Sequence, residues 1–286
     1  MKEIVILSGK GGTGKTSLTS AFASLARNSV FADCDVDAPD LHLVLRPKIK
    51  KTIGFHGMKV AKINKEKCIE CKRCIEACKF GAINESLEIE RDECEGCGVC
   101  SYVCPANAIE MVDRVSGFIY ISETRFGPMV HAKLNPGEEA SGKLVSQVKE
   151  KAREIAIDKD LLIVDGPPGI ACPAIAALSG ADLALMVAEP TLTGIHDLDR
   201  IVGVAEHFGI KHAVCINKSN LNLENADRIK DYCKEKGIEV VGEIPYDVNF
   251  VRAVIEGKTL LELDRTSKTS KLISKVWERL LQLITS

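Results

Sequence analysis

The chain has 286 residues, of which 45% are hydrophobic, and a formal net charge of −2 at pH 7. This length supports one or two domains with a large core, and the balanced charge excludes a general attraction to nucleic acid or anionic lipid. No apolar run reaches the ~18 residues of a membrane span, and the first residues enter a strand instead of a signal peptide. We therefore expect a cytoplasmic protein with neither a nucleic-acid partner nor a membrane partner.

A glycine-rich segment, Ser8–Ser17, follows the apolar strand Ile4–Leu7 and precedes a predicted helix, Ser17–Arg27. Strand, glycine-rich loop and helix in this order predict a phosphate-binding loop, whose backbone N–H groups surround phosphate oxygens. Lys15 is placed to reach the β- and γ-phosphates of ATP, and the Thr16 hydroxyl to ligate Mg²⁺. The predicted nucleotide-binding residues of this loop are Gly11, Gly12, Thr13, Gly14, Lys15, Thr16 and Ser17.

Lys10 is a second lysine at the front of the same loop. With it, the segment resembles the signature of the deviant P-loop ATPases, the superfamily of MinD, ParA, Mrp and the nitrogenase iron protein. The resemblance implies an α/β fold with a mostly parallel sheet between helices, hydrolysis of Mg-ATP, and an ATP-dependent homodimer in which Lys10 reaches the partner's nucleotide. We therefore assign catalytic roles to Lys10 and Lys15.

Aspartates follow two further apolar stretches: Asp33 and Asp35 come after one, and Asp165 after the other. Carboxylates at strand ends beside a phosphate-binding loop hold Mg²⁺ or orient water. The resemblance implies that Asp35 is catalytic, orienting the attacking water beside Mg²⁺, with Asp33 in support. Asp165 is expected to hold the Mg²⁺ shell through water. Asp37 and Asp40 are better explained as turn and capping residues.

Eight of the twelve cysteines form two runs with the spacing C-x2-C-x2-C-x3-C, at positions 68–78 and 94–104. This segment resembles a bacterial two-cluster ferredoxin, in which each run binds one [4Fe-4S] cluster and its fourth cysteine crosses to the other cluster. The expected ligands are Cys68, Cys71, Cys74 and Cys104 for cluster 1, and Cys78, Cys94, Cys97 and Cys100 for cluster 2. Two zinc sites are the alternative.

The cysteine-rich stretch interrupts the nucleotide-binding pattern and contains an internal repeat, with 78–83 similar to 104–109. We therefore expect a P-loop ATPase domain over 1–57 and 112–286, and an inserted α+β ferredoxin-like domain over 58–111. Close grouping of cysteines in a chain of this kind favours metal ligation in a reducing compartment over disulfides.

Four residues in the second half of the chain are further candidates. The resemblance implies that Asn217 contacts adenine and that Pro245 and Asp247 lie beside the nucleotide; a turn asparagine is the alternative for Asn217. Cys172 stands at the position of a cysteine that holds a cluster between two subunits of the nitrogenase iron protein. A second matching cysteine is missing, so a buried structural thiol is the favoured interpretation and an interfacial metal or cluster site is the alternative.

Two features are expected to be structural. His131 is interpreted as a satisfied structural histidine, and a ligand is the alternative. The last amphipathic segment, 271–284, has a broad apolar face and a polar face of both charges, which predicts a helix docked on the sheet. MinD proteins end in a membrane-targeting helix, which is the alternative for this segment.

Three functions are compatible with these motifs. The first is an ATPase that couples hydrolysis to electron transfer or to delivery of an iron–sulfur cluster to an unknown protein client. The second is a MinD/ParA-like positioning ATPase with structural clusters. The third is a small-molecule synthetase of the cobyrinic-acid or dethiobiotin type, which Lys10 and the lack of an evident substrate pocket disfavour.

Overall fold

A computed structural model describes residues 1–138 and 142–286. Its strands are β1 Lys2–Ser8, β2 Ser29–Asp33, β3 Lys48–Ile63, β4 Ile109–Thr124, β5 Gly127–Leu134, β6 Leu161–Pro168, β7 Leu183–Ala188, β8 His212–Asn217 and β9 Glu239–Ile244. Its helices are α1 Lys15–Ala23, α2 Leu41–Leu45, α3 Arg73–Ala77, α4 Val99–Tyr102, α5 Gly142–Glu154, α6 Cys172–Leu178, α7 Leu192–His207, α8 Leu223–Lys236, α9 Asn249–Glu256, α10 Leu260–Leu263 and α11 Lys268–Thr285.

The chain divides into two compact units. Unit 1 comprises Met1–Thr52, Ile119–Lys133 and Ala140–Ser286, and unit 2 comprises Ile53–Phe118 and Leu134–Glu139. Strands β3 and β4 each run from one unit into the other. Unit 2 is therefore larger than the expected insert, because it also takes in 53–57, 112–118 and Leu134–Glu139.

The sheet of unit 1 is parallel from β5 to β9. Its strand order is β5-β2-β6-β1-β7-β8-β9, with β3 and β4 continuing the order beyond β5. The strands are nearly continuous apolar runs, such as Ile4–Leu7, in which every residue is fully buried. That pattern is typical of parallel strands covered by helices on both faces. The expected α/β fold with a mostly parallel sheet is confirmed.

Helices α1 and α11 pack against the same face of this sheet. Phe22 of α1 stacks on Trp277 of α11 with 5.3 Å between ring centroids. Ile273, Val276 and Leu280 of α11 are buried in the same core as the strands. The C-terminal segment thus forms the docked helix that its pattern predicts.

The order of the strands decides where a ligand can bind. In open parallel sheets, ligands bind beyond the carboxyl ends of the strands. Here β2, β6 and β1 are neighbours, so their carboxyl ends lie together at one edge of unit 1. Within the described ranges, every helix is too short or too polar to cross a lipid bilayer.

Candidate functional site

The loop between β1 and α1 has the backbone conformation of a tight anion cradle. Gly12 and Gly14 have φ values of 78° and 91°, a region that L side chains rarely adopt. A Cβ on Gly14 would also lie 2.2 Å from Nδ2 of Asn217. Gly14 immediately precedes α1, so the loop ends at a helix N-terminus, where backbone N–H groups and the helix dipole favour anions.

Lys15, Thr16 and Asp165 form the centre of the site. The Lys15 ammonium donates to Asp165 at 2.9 Å, and the Thr16 hydroxyl donates to the other oxygen of this carboxylate at 2.7 Å. Thr19, one turn further along α1, donates to Asp165 at 2.9 Å. Asp35 lies 3.5 Å from the Lys15 ammonium. The structure thus brings together the lysine, the hydroxyl and the two carboxylates that the sequence predicts.

Burial and mutual charge shape the ionisation of these groups. Burial opposes the charge of Lys15, but the carboxylates of Asp165 and Asp35 outweigh it and raise the lysine pKa. Burial raises the pKa of Asp35 against the opposing effect of Lys15, and the charge of Asp165 adds to the rise. Burial, followed by the charge of Asp165, raises the pKa of Asp33 well above its usual value. A cation entering here would offset the crowding of three carboxylates.

An open cavity of about 490 Å³ adjoins this centre, within the size range of small-molecule sites. Its lining includes most of the predicted phosphate-loop residues together with Asp35. Its walls also include Asp37, Asp40, Pro167 and Pro168. Asp37 and Asp40 were expected in a turn and a cap; Asp40 does precede α2, but its side chain makes no capping hydrogen bond.

Asp33 makes contacts that its implied role beside Mg²⁺ does not include, and that role remains a prediction. Its fully buried carboxylate accepts the backbone N–H groups of Asp35 and Leu41, each at 3.2 Å. It therefore holds the turn that carries Asp35 and the start of α2. The sequence alone did not suggest this bracing role.

Asn217 and Lys218, at the end of β8, both contact the phosphate-binding loop. Asn217 Nδ2 donates to the carbonyl of Thr13 at 2.6 Å, and Lys218 Nζ donates to the carbonyl of Gly12 at 2.8 Å. The Asn217 oxygen and the Thr13 hydroxyl are buried without a partner. Asn217 thus braces the loop, and its implied adenine contact remains a prediction. No sequence motif identified Lys218 as a site residue; only its position directly after Asn217 could have pointed to it.

Lys10 belongs to the front of the loop but is not among the residues that line the cavity. Its ammonium donates to the hydroxyls of Thr191 and Thr193, at 3.1 and 3.3 Å, and is 3.9 Å from Glu189. Lys218 also reaches Glu189, at 3.0 Å. Glu189 follows β7, and sequence analysis did not identify it as a site residue.

The remaining candidates of unit 1 lie outside the cavity lining. Asp247 accepts from the Asn249 N–H and from the Thr269 hydroxyl, so it ties the start of α9 to α11. Pro245 is half-buried just before it. Cys172 is exposed at the start of α6, so the expectation of a buried thiol is wrong. Its neighbours in sequence, Ala171 and Pro173, line the cavity although Cys172 does not.

His131 belongs to an aromatic stack in the core. Its ring lies 5.1 Å from that of Tyr120 and 6.1 Å from that of His42. Burial, and next the charge of His42, lowers the pKa of His131 to about 4. Its Nδ1 atom is buried without a hydrogen-bond partner. His131 is thus a buried residue of the core, as interpreted, but its unpartnered Nδ1 atom does not match the expectation of a satisfied histidine.

Unit 2 repeats the same backbone conformation at each cysteine run. Glu70, Lys72 and Gly81 have φ values of 54°, 57° and 68°, and the positions 26 residues later, Gly96, Gly98 and Asn107, have 65°, 76° and 48°. Glu70 and Lys72 flank Cys71, and Gly96 and Gly98 flank Cys97. The internal repeat of the sequence is thus also a repeat of left-handed backbone positions.

Six of the eight cysteines of unit 2 share a small core. Cys74 and Cys100 are buried in it, and Cys68, Cys78, Cys94 and Cys104 pack against it. One cavity is lined by Cys78 together with Cys94, Cys97 and Cys100, the set expected for cluster 2. The Cys104 sulfur accepts the Ala108 N–H at 3.2 Å. In the part of the chain that the structure describes, however, no three Cys, His, Asp or Glu side chains converge on a point where one metal ion could bind.

Known proteins share both the sequence pattern and the fold of the chain. The family model described as CobQ/CobB/MinD/ParA nucleotide binding domain matches residues 4–260. An uncharacterized protein of Methanocaldococcus jannaschii, MJ0578, is 35% identical over 285 residues, covering 99% of this chain and 97% of that protein. The PorD subunit of pyruvate synthase from Methanothermobacter marburgensis is 47% identical over 49 residues, 17% of this chain and 60% of that subunit.

Solved structures share the fold at lower identity. MinD from Pyrococcus horikoshii, complexed with Mg-ADP, has a TM-score of 0.62 at 18% identity, covering 99% of this chain and 96% of that one. The MinC:MinD cell division complex of Aquifex aeolicus has a TM-score of 0.60 at 20% identity, with coverage of 99% and 96%. The match to the family model spans most of the chain, and the site has the residues of a phosphate-binding loop. The chain therefore belongs to the CobQ/CobB/MinD/ParA nucleotide-binding-domain family.

Proposed function

We propose that this protein is an ATP-hydrolysing iron–sulfur protein that couples its nucleotide state to electron transfer, or to cluster delivery, toward a protein client in a reducing cytoplasm. The observation that carries the proposal is the presence, in one chain, of the Lys15–Thr16–Asp165 centre and of a duplicated eight-cysteine unit. A nucleotide site does not by itself require a cysteine-rich unit, so their presence in one chain suggests that the two act together.

The nucleotide half follows from unit 1. The loop N–H groups and Lys15 bind the β- and γ-phosphates, and Thr16, Asp35 and Asp165 are the groups for Mg²⁺. Lys15 and Thr16 now donate to Asp165, so these groups must exchange partners when phosphate and Mg²⁺ arrive. Asp35 is near enough to this centre to orient the attacking water. Asn217, Pro245 and Asp247 are the proposed residues on the side of the base.

The cluster half follows from unit 2. We assign Cys68, Cys71, Cys74 and Cys104 to one [4Fe-4S] cluster and Cys78, Cys94, Cys97 and Cys100 to the other. The donor set fits, because thiolates are the ligands of these clusters, whose chemistry when bound is the transfer of single electrons. Four thiolates on one zinc ion must meet ~2.3 Å from it, whereas a cube of four irons holds them apart at its corners. The spacing of the two four-cysteine runs, in which the fourth cysteine crosses to the other cluster, favours clusters over zinc.

Association completes the proposal. Two chains would close around ATP with Lys10 of each reaching the other's nucleotide, as the resemblance implies. Closure is the step that would alter contact with the client. Cys172, exposed beside the cavity, is retained as a candidate for an interfacial metal or cluster site.

The direct test combines two measurements on one anaerobic preparation. Wild-type protein should hydrolyse Mg-ATP and contain about eight irons per chain, as two four-iron clusters require. Lys15→Ala should lose hydrolysis and keep its iron, because Lys15 belongs to unit 1. Protein that carries zinc instead of iron would contradict the cluster half, and protein that binds no ATP would contradict the nucleotide half.

A positioning ATPase of the MinD/ParA type, with clusters as structural elements, is the second candidate. The likeness to the MinC:MinD cell division complex favours it. Protein-film voltammetry and vesicle sedimentation separate the two candidates. Reversible low-potential waves without lipid binding support the iron–sulfur ATPase, whereas ATP-dependent lipid binding without reversible waves supports the positioning ATPase.

A further inference from the structure

Glu189 connects two lysines at the phosphate-binding loop. Its carboxylate accepts Lys218 at 3.0 Å and lies 3.9 Å from the ammonium of Lys10. Lys218 in turn donates to the carbonyl of Gly12, inside the loop. One carboxylate therefore serves both the lysine at the front of the loop and the lysine that anchors its middle.

The surroundings of Lys10 hold its side chain beside Glu189. The hydroxyls of Thr191 and Thr193 accept hydrogen bonds from its ammonium. The Thr191 hydroxyl is itself held in place, because it also accepts a hydrogen bond from the Gly194 N–H at the start of α7. The Glu189 side chain is only 15% exposed, so water screens its charge incompletely. Lys10 is absent from the cavity lining, although it belongs to the loop.

We propose that Glu189 is a positioning residue that retains Lys10 beside the phosphate-binding loop until nucleotide binds, and thereby sets the protein concentration at which ATP drives two chains to associate. The inference rests on the proposed function in one respect, the role of Lys10 in an ATP-bound dimer. Lys10 has to leave Glu189, Thr191 and Thr193 before it can reach a partner's nucleotide.

The exchange leaves no carboxylate without a cation. When Lys10 leaves, Lys218 still pairs with Glu189 and still holds Gly12. The phosphates of ATP carry several negative charges, so they attract Lys10 more strongly than a carboxylate already shared with Lys218. The contact at 3.9 Å is a weak ion pair, which suits a residue that must be released at each cycle.

The first experiment needs no nucleotide. Amine-modification rates of individual lysines are measured by peptide mass spectrometry on wild-type protein, Glu189→Gln and Glu189→Asp. Glu189→Gln should raise the rate at Lys10 about two- to five-fold, the equivalent of a weak ion pair, and Glu189→Asp should restore part of the protection. Glu243→Gln, which removes a carboxylate paired with Lys230, is the matched control and should leave Lys10 unchanged. An unchanged Lys10 rate in Glu189→Gln would overturn the inference.

The second experiment measures ATP-dependent association against protein concentration. Glu189→Gln should lower the midpoint about two- to five-fold, and the same substitution made in Lys10→Ala protein should change nothing, because the residue it acts through is gone. A raised or equal midpoint in Glu189→Gln would overturn the role in association. Wild-type protein that does not associate with ATP would instead contradict the proposed function, while the modification rates still decide whether Glu189 holds Lys10.

Discussion

At the residue scale, the two carboxylates near Lys15 have separable tasks. Asp165 contacts Lys15, Thr16 and Thr19, so its loss would disturb the whole centre. Asp35 contacts Lys15 alone among these, at 3.5 Å, and its side chain is 14% exposed toward the cavity. Asp35 is therefore the better position for testing chemistry apart from folding.

Asp35→Asn should reduce hydrolysis by about 10²- to 10⁴-fold, the range for removing a group that assists proton transfer or water orientation. Affinity for ATP should change little, because the loop N–H groups, Lys15 and Thr16, which are the proposed phosphate and Mg²⁺ contacts, are left in place. Single-turnover hydrolysis and equilibrium ATP binding measure the two effects. Asp37 is an exposed carboxylate on the same cavity wall, so Asp37→Asn is the control. This variant should hydrolyse ATP at close to the wild-type rate. Loss of binding in Asp35→Asn would refute this division of roles.

His131 predicts a pH dependence of stability. Its pKa is about 4 in the folded chain and ~6.5 when unfolded, so the unfolded state binds the proton first as pH falls. The stability that neutral His131 contributes is present above pH ~6.5 and is lost between ~6.5 and ~4. Between pH 7.5 and 5.5 the loss should be about 1.4 kcal/mol.

Urea unfolding at both pH values tests this shift. His131→Phe should lack that part of the pH dependence, since phenylalanine can keep the stack on Tyr120 without titrating. The exposed His207→Phe should behave like wild type. Equal pH dependence in wild type and His131→Phe would show that protonation of another group governs stability in this range.

At the element scale, the two interpretations of α11, a helix docked on the sheet and a membrane-binding helix, predict different effects of substitution. Leu280 is fully buried, whereas the next residue, Leu281, is 39% exposed. Leu280→Ala should lower the free energy of unfolding by about 2–5 kcal/mol, because it leaves a cavity in the core. Leu281→Ala should change it by no more than about 0.5 kcal/mol.

The fluorescence of Trp277, the single tryptophan of the chain, reports this unfolding directly. It stacks on Phe22, so separation of α11 from α1 changes its environment. A vesicle flotation assay completes the test, and we expect no lipid binding, because the apolar face of α11 is already buried. Similar small effects of the two leucine substitutions, together with flotation, would indicate a helix that leaves the sheet.

The sequence predicted those parts of the site that depend on local order. Lys15, Thr16, Asp35 and Asp165 follow strands whose carboxyl ends must meet in a parallel sheet, so their proximity could be anticipated. Glu189 could not, because its contact with Lys218 and Lys10 depends on β7 lying between β1 and β8.

At the scale of the whole molecule, the two units would carry independent spectroscopic probes if unit 2 binds the proposed clusters. Trp277 lies in unit 1 and the eight clustered cysteines lie in unit 2. Binding of a ligand to folded protein stabilises it by an amount set by the ligand's concentration relative to its dissociation constant. Nucleotide bound at unit 1 must therefore change the Trp277 transition, whereas an effect on the clusters requires coupling between the units.

Mg-ATP at 100 times its dissociation constant should stabilise the Trp277 transition by about 2.7 kcal/mol. If the nucleotide state is coupled to the clusters, it should also change the rate at which an iron chelator bleaches their visible absorbance. Lys15→Ala should abolish both effects, while leaving the bleaching rate without nucleotide as in wild type. A shifted Trp277 transition with unchanged bleaching would mean that nucleotide binding in unit 1 is not energetically coupled to the clusters of unit 2. In that case the positioning ATPase with structural clusters would be the better account of the molecule.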